Sequence, residues 1–314
     1  LAVVLGLAAY IVSRTHEAVD ALVVGIILGM IVRTIVGDRA RFLPGLALAP
    51  KIFIPLGVIF YGINLKFNRL TEVSGVVWIQ LLAATVLVFV VAVYLGRRLR
   101  MREPNSLLMG IGTAICGASA IAVATSVVDA DSEDAGSSLI TITIFGLFGM
   151  ILCPLTIAYF HFDETRYAVL CATTLHMTGI VKSAAAAFGE GCLRLALSIK
   201  MARTALIIPV LGYLLWRSGR GSVRTKRSIV KRIPWFLWAF VGVGLAMSFV
   251  PGAARLTPAL RPWAGIFFTI ALTSIGLTVD LKRMINAGGA PLVLGLACWL
   301  VVIALFVLTF PFLR

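Results

Sequence analysis

The apolar positions of this chain fall into long runs separated by short polar joints. Eleven runs can be drawn, at 1–12, 18–36, 52–65, 75–95, 105–128, 137–160, 167–188, 193–216, 235–250, 263–279 and 290–312. Most have the length of a helix that crosses a bilayer, about 20 residues. They do not alternate with period two, so they are not barrel strands. The pattern predicts an all-α polytopic membrane protein of about eleven transmembrane helices, with residues 1–314 as one integral membrane domain. The second run carries Gly25 and Gly29, a small-xxx-small face suited to close helix packing. The third holds Pro55, Gly57 and Gly62 and is short.

Composition agrees. Of 314 residues, 60% are hydrophobic and 13% charged, and the mean hydropathy is +1.03. Soluble domains are about 25% charged. The net charge is +15. In a soluble protein that would point to nucleic acid, but here the cations sit in the joints and report orientation instead. The joints on one side carry eighteen Lys and Arg, those on the other seven. The richer side is expected in the cytoplasm, with the N-terminus there and the C-terminus in the periplasm. The acidic run Asp129-Ala130-Asp131-Ser132-Glu133-Asp134 then falls outside. The chain opens at Leu1 without a charged leader, so no cleavable signal peptide is expected, and the short first run suggests a trimmed N-terminus. Cys116, Cys153, Cys171, Cys192 and Cys298 lie in or beside apolar runs without metal-ligand spacing, and read as small buried hydrophobes.

The chain repeats itself. Gly62-Ile63, Arg69 and Gly75 recur as Gly276-Leu277, Arg283 and Gly289, offset by 214 residues throughout. Each copy ends a short run, turns through a basic joint and enters a long run. The two copies would cross in opposite directions, as inverted-topology repeats do in secondary transporters. The repeats would cover approximately 18–160 and 165–312.

Three segments carry candidate chemistry. Gly112-Thr113-Ala114-Ile115-Cys116-Gly117-Ala118-Ser119-Ala120 packs glycines and small polar residues into the middle of the fifth run. Weakened helix is tolerated in lipid only where protein or a cavity covers it. A break near Gly117 would start a half-helix at Ala118-Ser119, whose free N–H groups favour an anion. The alternative is a ligand-free packing seam. In the seventh run, His176, Thr178 and Lys182 lie in an apolar stretch, where ionisable groups usually face a cavity. His176 could bind substrate or carry a proton, or be satisfied by a carbonyl, and Lys182 could snorkel to the interface. In the eighth run, Lys200 and Arg203 share a helix face and would attract an anion, or a buried carboxylate such as Asp20 or Asp280.

Absences narrow the choice. Runs five, seven and eight contain no Asp or Glu, whereas a sodium or proton exchanger normally carries an embedded carboxylate. There is no nucleotide-binding P-loop, no H-E-x-x-H and no G-x-S-x-G. The chain is therefore not expected to be an enzyme, and no cofactor or metal is expected.

The segment from Gly112 to Ala122 resembles, nearly letter for letter, the signature of the YeiH-like sulfate exporter family of the bacterial inner membrane. The resemblance extends to the Lys200–Arg203 helix with Pro209 and to the late Gly276-Leu277. It implies kinship with the cation/proton antiporter and bile-acid symporter group. That group's fold is an inverted repeat with discontinuous helices, a scaffold part and a moving transport part, working as an elevator and commonly as a homodimer. In the seventh run the family pattern reads His, acidic, Thr, Ala, Gln, Val, Val. Here Met177 takes the acidic position, Ile180 the glutamine and Lys182 an apolar one, while Arg33 replaces an asparagine of the second run. These changes make a more cationic, divergent member.

The combined expectation is a secondary active transporter of a small sulfate-like or organic anion, working by alternating access. Its expected substrate-binding residues are Gly112, Thr113, Cys116, Gly117, Ala118, Ser119, His176, Thr178, Lys182, Lys200 and Arg203. Its expected partners are the anionic solute, a coupling proton or sodium ion, the lipid bilayer and a second copy of the chain, but not nucleic acid. Two other readings stay open: a cation/proton antiporter using Asp20 or Asp280, and a membrane interaction subunit with continuous fifth and seventh helices.

Overall fold

A computed structural model describes residues 1–14, 21–36, 43–64, 73–125, 127–160, 162–218, 235–277 and 289–313. Among these residues the fold is all-helical, without strands. The helices are α1 (Ala2–Ser13), α2 (Ala21–Val36), α3 (Leu43–Tyr61), α4 (Gly75–Arg98), α5 (Glu103–Ala114), α6 (Ala118–Thr125), α7 (Ser132–Phe160), α8 (Glu164–Thr174), α9 (Thr178–Ala186), α10 (Glu190–Ala205), α11 (Ile207–Ser218), α12 (Trp235–Phe249), α13 (Thr257–Gly276) and α14 (Ala290–Thr309). Among the described residues, five helical stretches are long and apolar enough to cross a membrane: Gly75–Arg98, Ser132–Ile157, Glu190–Arg217, Thr257–Gly276 and Ala290–Phe312. Four shorter apolar helices accompany them, at Ala2–Ser13, Val24–Ile35, Ile52–Tyr61 and Trp238–Phe249.

Several helices start earlier than the apolar runs imply, α7 and α3 among them. Asp131 accepts the Asp134 backbone N–H at 2.9 Å, and Asp134 accepts that of Asp131 at 3.4 Å. This reciprocal cap starts α7 inside the acidic run, where carboxylates suit the positive helix end. Helix α3 starts at Leu43, with Pro44 in its first turn, where a missing N–H costs nothing. Pro50 cannot bond the Leu46 carbonyl one turn back. The Ser274 hydroxyl of α13 donates to that carbonyl instead, at 2.8 Å.

The helices pack as two bundles. In the first, α13 lies against α1, α2 and α3, and α12 covers α3. Gly25 and Gly29 make the close face expected of them: a Cβ on Gly29 would stand 2.9 Å from the Leu277 backbone nitrogen. In the second, α4 packs on α5 and α14, α5 on α7, and α10 on α8 and α9. The bundles meet where α2, α3 and α13 touch α6 and α7. Helices α3 and α13 run antiparallel, since Leu46 meets Ser274 while Gly57 meets Phe268.

The fifth and seventh runs each double back and do not continue across. In one line, α5 and α6 would place their ends about 30 Å apart. Instead Gly112 of α5 lies against Ile121 of α6, and Arg102, just before α5, pairs with Asp131, just before α7, and with Asp134 at 3.1 Å. The Tyr167 hydroxyl near the start of α8 donates to the Ala184 carbonyl near the end of α9 at 3.1 Å, and its ring stacks on Phe188. Both segments are thus helical hairpins. Helix α7 joins them and is about 43 Å long, so they enter from opposite ends, which we call the Arg102 end and the Arg166 end. Helices α10 and α11 return to the Arg102 end, where Arg217 pairs with Glu103. Helix α14 reaches the Arg166 end, where Arg166 donates to the Leu313 carbonyl at 3.2 Å. The expectation that the fifth and seventh runs are spans is corrected here, and the acidic run lies at the same end as Arg97 to Arg102. Of the cations counted for orientation, Arg39, Arg41, Lys66, Arg69, Lys282, Arg283, Arg314 and the group from Arg220 to Arg232 lie outside the described residues, as do Asp20 and Asp280.

Candidate functional site

The two hairpin tips meet. Gly117 has a φ of 73°, a left-handed conformation that costs an L-residue about 1–2 kcal/mol. A Cβ here would also stand 3.1 Å from the His176 carbonyl oxygen and 3.0 Å from Met177 Cγ. Glycine is thus required twice over, by the turn and by the neighbouring tip.

Where a helix stops, its last carbonyls lose their partners. Here α5 and α8 both stop in the interior, and α10 supplies donors to both. Arg203 Nε donates to the Ala114 carbonyl at 2.8 Å and Nη2 to that of Thr113. Its Nη1 donates to Ala172 at 3.0 Å and Leu175 at 2.9 Å. Lys200 Nζ donates to Leu175 at 2.9 Å and His176 at 2.7 Å, and Trp299 Nε1 to Thr174 at 3.0 Å. Lys200 is 0% and Arg203 2% exposed. One guanidinium fork therefore ties both tips together, a geometry that a single ammonium cannot reproduce.

The other half-helices begin at the same crossing. Ala118 and Ser119 open α6, Thr178 opens α9, and both starts line a cavity of about 200 Å³. The cavity lies between the two bundles. The first contributes Leu22, Tyr61, Arg261 and Phe268, and the second Cys116, Ala118, Ser119, Thr178 and Met201. The Ser119 hydroxyl is 3.0 Å from Cys116 Sγ and donates to the Tyr61 hydroxyl at 3.4 Å. Each helix start carries roughly half a positive charge, and each stop half a negative one. Arg203 offsets the two stops, so the two starts and Arg261 leave the cavity electropositive.

The expected residues separate into three groups. Cys116, Ala118, Ser119 and Thr178 line the cavity, with Gly117 at the tip contact behind them. Thr113, His176, Lys200 and Arg203 form the cap through carbonyls and donors. In the structure Lys200 and Arg203 donate to carbonyls, and the His176 side chain is buried next to Gly146 of α7. Gly112 lies against Ile121 and Ile142 in the hairpin interior, and half-buried Lys182 is off the cavity wall. The five cysteines are free and buried. Sequence reasoning missed Tyr61 and Arg261. The first looked like the end of a short span and the second like one more joint cation.

The chain matches a family model described as conserved hypothetical protein 698 over residues 1–295. It is 31% identical over 311 residues to a UPF0324 membrane protein of Archaeoglobus fulgidus, covering 96% of this chain and 89% of the relative. It is 32% identical over 297 residues to one of Bacteroides thetaiotaomicron, covering 90% and 87%. A Brucella melitensis relative of the same description is 25% identical over 295 residues, covering 92% and 83%. No solved structure matches. A match across nearly the whole length, spanning both hairpins and the cap between them, makes this chain a member of the UPF0324 family of membrane proteins.

Proposed function

We propose that this protein is a secondary active transporter of a small anion, sulfate-like or organic, in the bacterial inner membrane. The carrying observation is the meeting of two helix starts on one cavity between two bundles, with the two helix stops neutralised behind it. A cavity of about 200 Å³ has room for about six waters, the scale of a small oxyanion. The absence of Asp and Glu from 105–128, 167–188 and 193–216 favours an anion over a cation.

The bundle division supports alternating access. The cavity wall is shared, so sliding the hairpin bundle along α2, α3 and α13 would carry the solute from one membrane face to the other. This is an elevator motion. The antiparallel α3 and α13, and hairpins entering from opposite ends, are what inverted-topology repeats require. Counted this way, the described residues make nine crossings and two re-entrant hairpins. Moving only Arg166 to the other side leaves seventeen Lys and Arg against eight, so the Arg102 end and the N-terminus are cytoplasmic and the C-terminus periplasmic. A homodimer and a coupling proton or sodium ion complete the reading.

Uptake of labelled sulfate and small carboxylates into proteoliposomes tests it. Wild-type protein should take up at least one anion, and Ser119→Leu, which fills the cavity, should abolish uptake while eluting as a monodisperse species. Normal uptake by Ser119→Leu would move the site elsewhere. Flux of sodium or protons without any anion would overturn the anion reading.

A further inference from the structure

A groove runs down the outside of the second bundle, between α4 and α11. Its wider part, about 600 Å³, is lined at one end by Arg97, Arg98 and Arg217 with Tyr94 and Tyr213. A second cavity of about 420 Å³ shares Phe89, Val90 and Tyr213 with the first and continues to Leu82 and Leu206. From Leu82 to Arg97 the groove follows α4 for about 22 Å, more than one leaflet of a hydrocarbon core of about 30 Å. One end is cationic and the rest aliphatic or aromatic.

We propose that this groove holds an anionic phospholipid, with its phosphate at the three arginines and an acyl chain along α4. Charge complementarity selects this occupant. Among the described residues the Arg97 guanidinium makes no hydrogen bond or ion pair, and the backbone carbonyl of Arg97 is engaged by the Arg100 N–H. Arg98 stacks on the Tyr94 ring at 5.3 Å and donates to its hydroxyl at 3.1 Å, and Arg217 pairs with Glu103. That leaves an excess of cation beside two tyrosine hydroxyls, a set of donors suited to phosphate oxygens. A zwitterionic lipid would leave that excess uncompensated. Val90 and Tyr94 are 57% and 61% exposed, so the groove opens laterally to the bilayer. It lies at the Arg102 end, on the face where basic pockets between helices meet anionic headgroups.

The test uses the full chain, delipidated in neutral detergent and titrated with phosphatidylglycerol or phosphatidylcholine, with bound lipid read by native mass spectrometry. Phosphatidylglycerol should be retained at least tenfold better. Arg97→Gln with Arg98→Gln should weaken its retention about thirtyfold and leave phosphatidylcholine unchanged. Val90→Trp, which fills the tail channel and touches no charge, should weaken both lipids. Inorganic phosphate should not compete. Equal retention of the two lipids by wild type, or an unchanged preference in the double variant, would overturn the proposal. So would a changed oligomeric state in Val90→Trp with its lipid preference intact, because the groove would then seat a second copy of the chain.

Discussion

Gly117 lies directly against the backbone of His176, so that a Cβ on the glycine would stand 3.1 Å from the histidine carbonyl oxygen. This one contact joins two hairpins that enter from opposite ends. It puts the left-handed turn of one tip against the stop of the other, and the capping cations and the cavity are built around it.

Gly117→Ala should destabilise the protein by about 1–2 kcal/mol from the backbone term alone, and more from displacement of the second tip. The thermal unfolding midpoint in detergent measures this. Gly75→Ala is the control: a Cβ there meets nothing within 4 Å, and its midpoint should stay at the wild-type value. Equal behaviour of the two variants would remove the tip contact as a determinant of the fold.

Arg203→Lys should behave like a loss, although charge is kept. The guanidinium reaches Thr113 and Ala114 on one tip and Ala172 and Leu175 on the other. An ammonium cannot span both, and buried carbonyls left bare cost about 1–3 kcal/mol each. Arg203→Met should cost about 3–5 kcal/mol or prevent accumulation of folded protein. Fluorescence-detected size exclusion after a heat ramp reads both, and a wild-type profile for Arg203→Lys would refute the shared-cap account.

Arg261→Gln should raise the half-saturating anion concentration about tenfold or more, the loss of one charged hydrogen bond. Arg261 is exposed and lines the cavity, so the variant should unfold at the wild-type temperature. Uptake kinetics paired with a melting curve separate the two effects. An unchanged half-saturation would take Arg261 out of the site.

The Arg102–Asp131 pair should make stability depend on acid. Burial alone would raise the Asp131 carboxyl, but the Asp134 backbone N–H and the Arg102 guanidinium outweigh it and hold the carboxyl below its ordinary value. A carboxylate with a depressed folded-state pKa contributes stability above its unfolded pKa, and that contribution is lost as pH falls through the folded one. Arg102→Gln should therefore melt below wild type at pH 7. The gap should shrink once the pH drops below the usual carboxylate range. A gap that is constant from pH 7 to pH 3 would mean that the pair contributes nothing through its charge.

Much of the architecture was legible in the chain itself. Runs of Leu, Val, Ile and Ala about twenty residues long become helices in a bilayer because no other backbone conformation satisfies its polar groups there. Gly25 and Gly29 announced a close face because a missing Cβ is a local property. Gly112 to Ala120 announced a break for the same reason, and Cys116, Ala118 and Ser119 do line a cavity. What the runs did not reveal was direction after a break. A broken helix that continues and one that doubles back have the same composition. The choice is made by Arg102 reaching Asp131 and by Tyr167 reaching Ala184, contacts across 29 and 17 residues. Lys200 and Arg203 show the same limit. Two buried cations on one helix face predict negative partners but not which ones, and here the partners are carbonyl dipoles at two helix stops that only the fold brings within reach. Tyr61 and Arg261 join the site from another bundle for the same reason. Local polarity and spacing thus determined the helices and the position of their weak point. The hairpins, the cap and the wall of the cavity were decided by long-range packing, because each depends on which distant backbone groups are left without a partner.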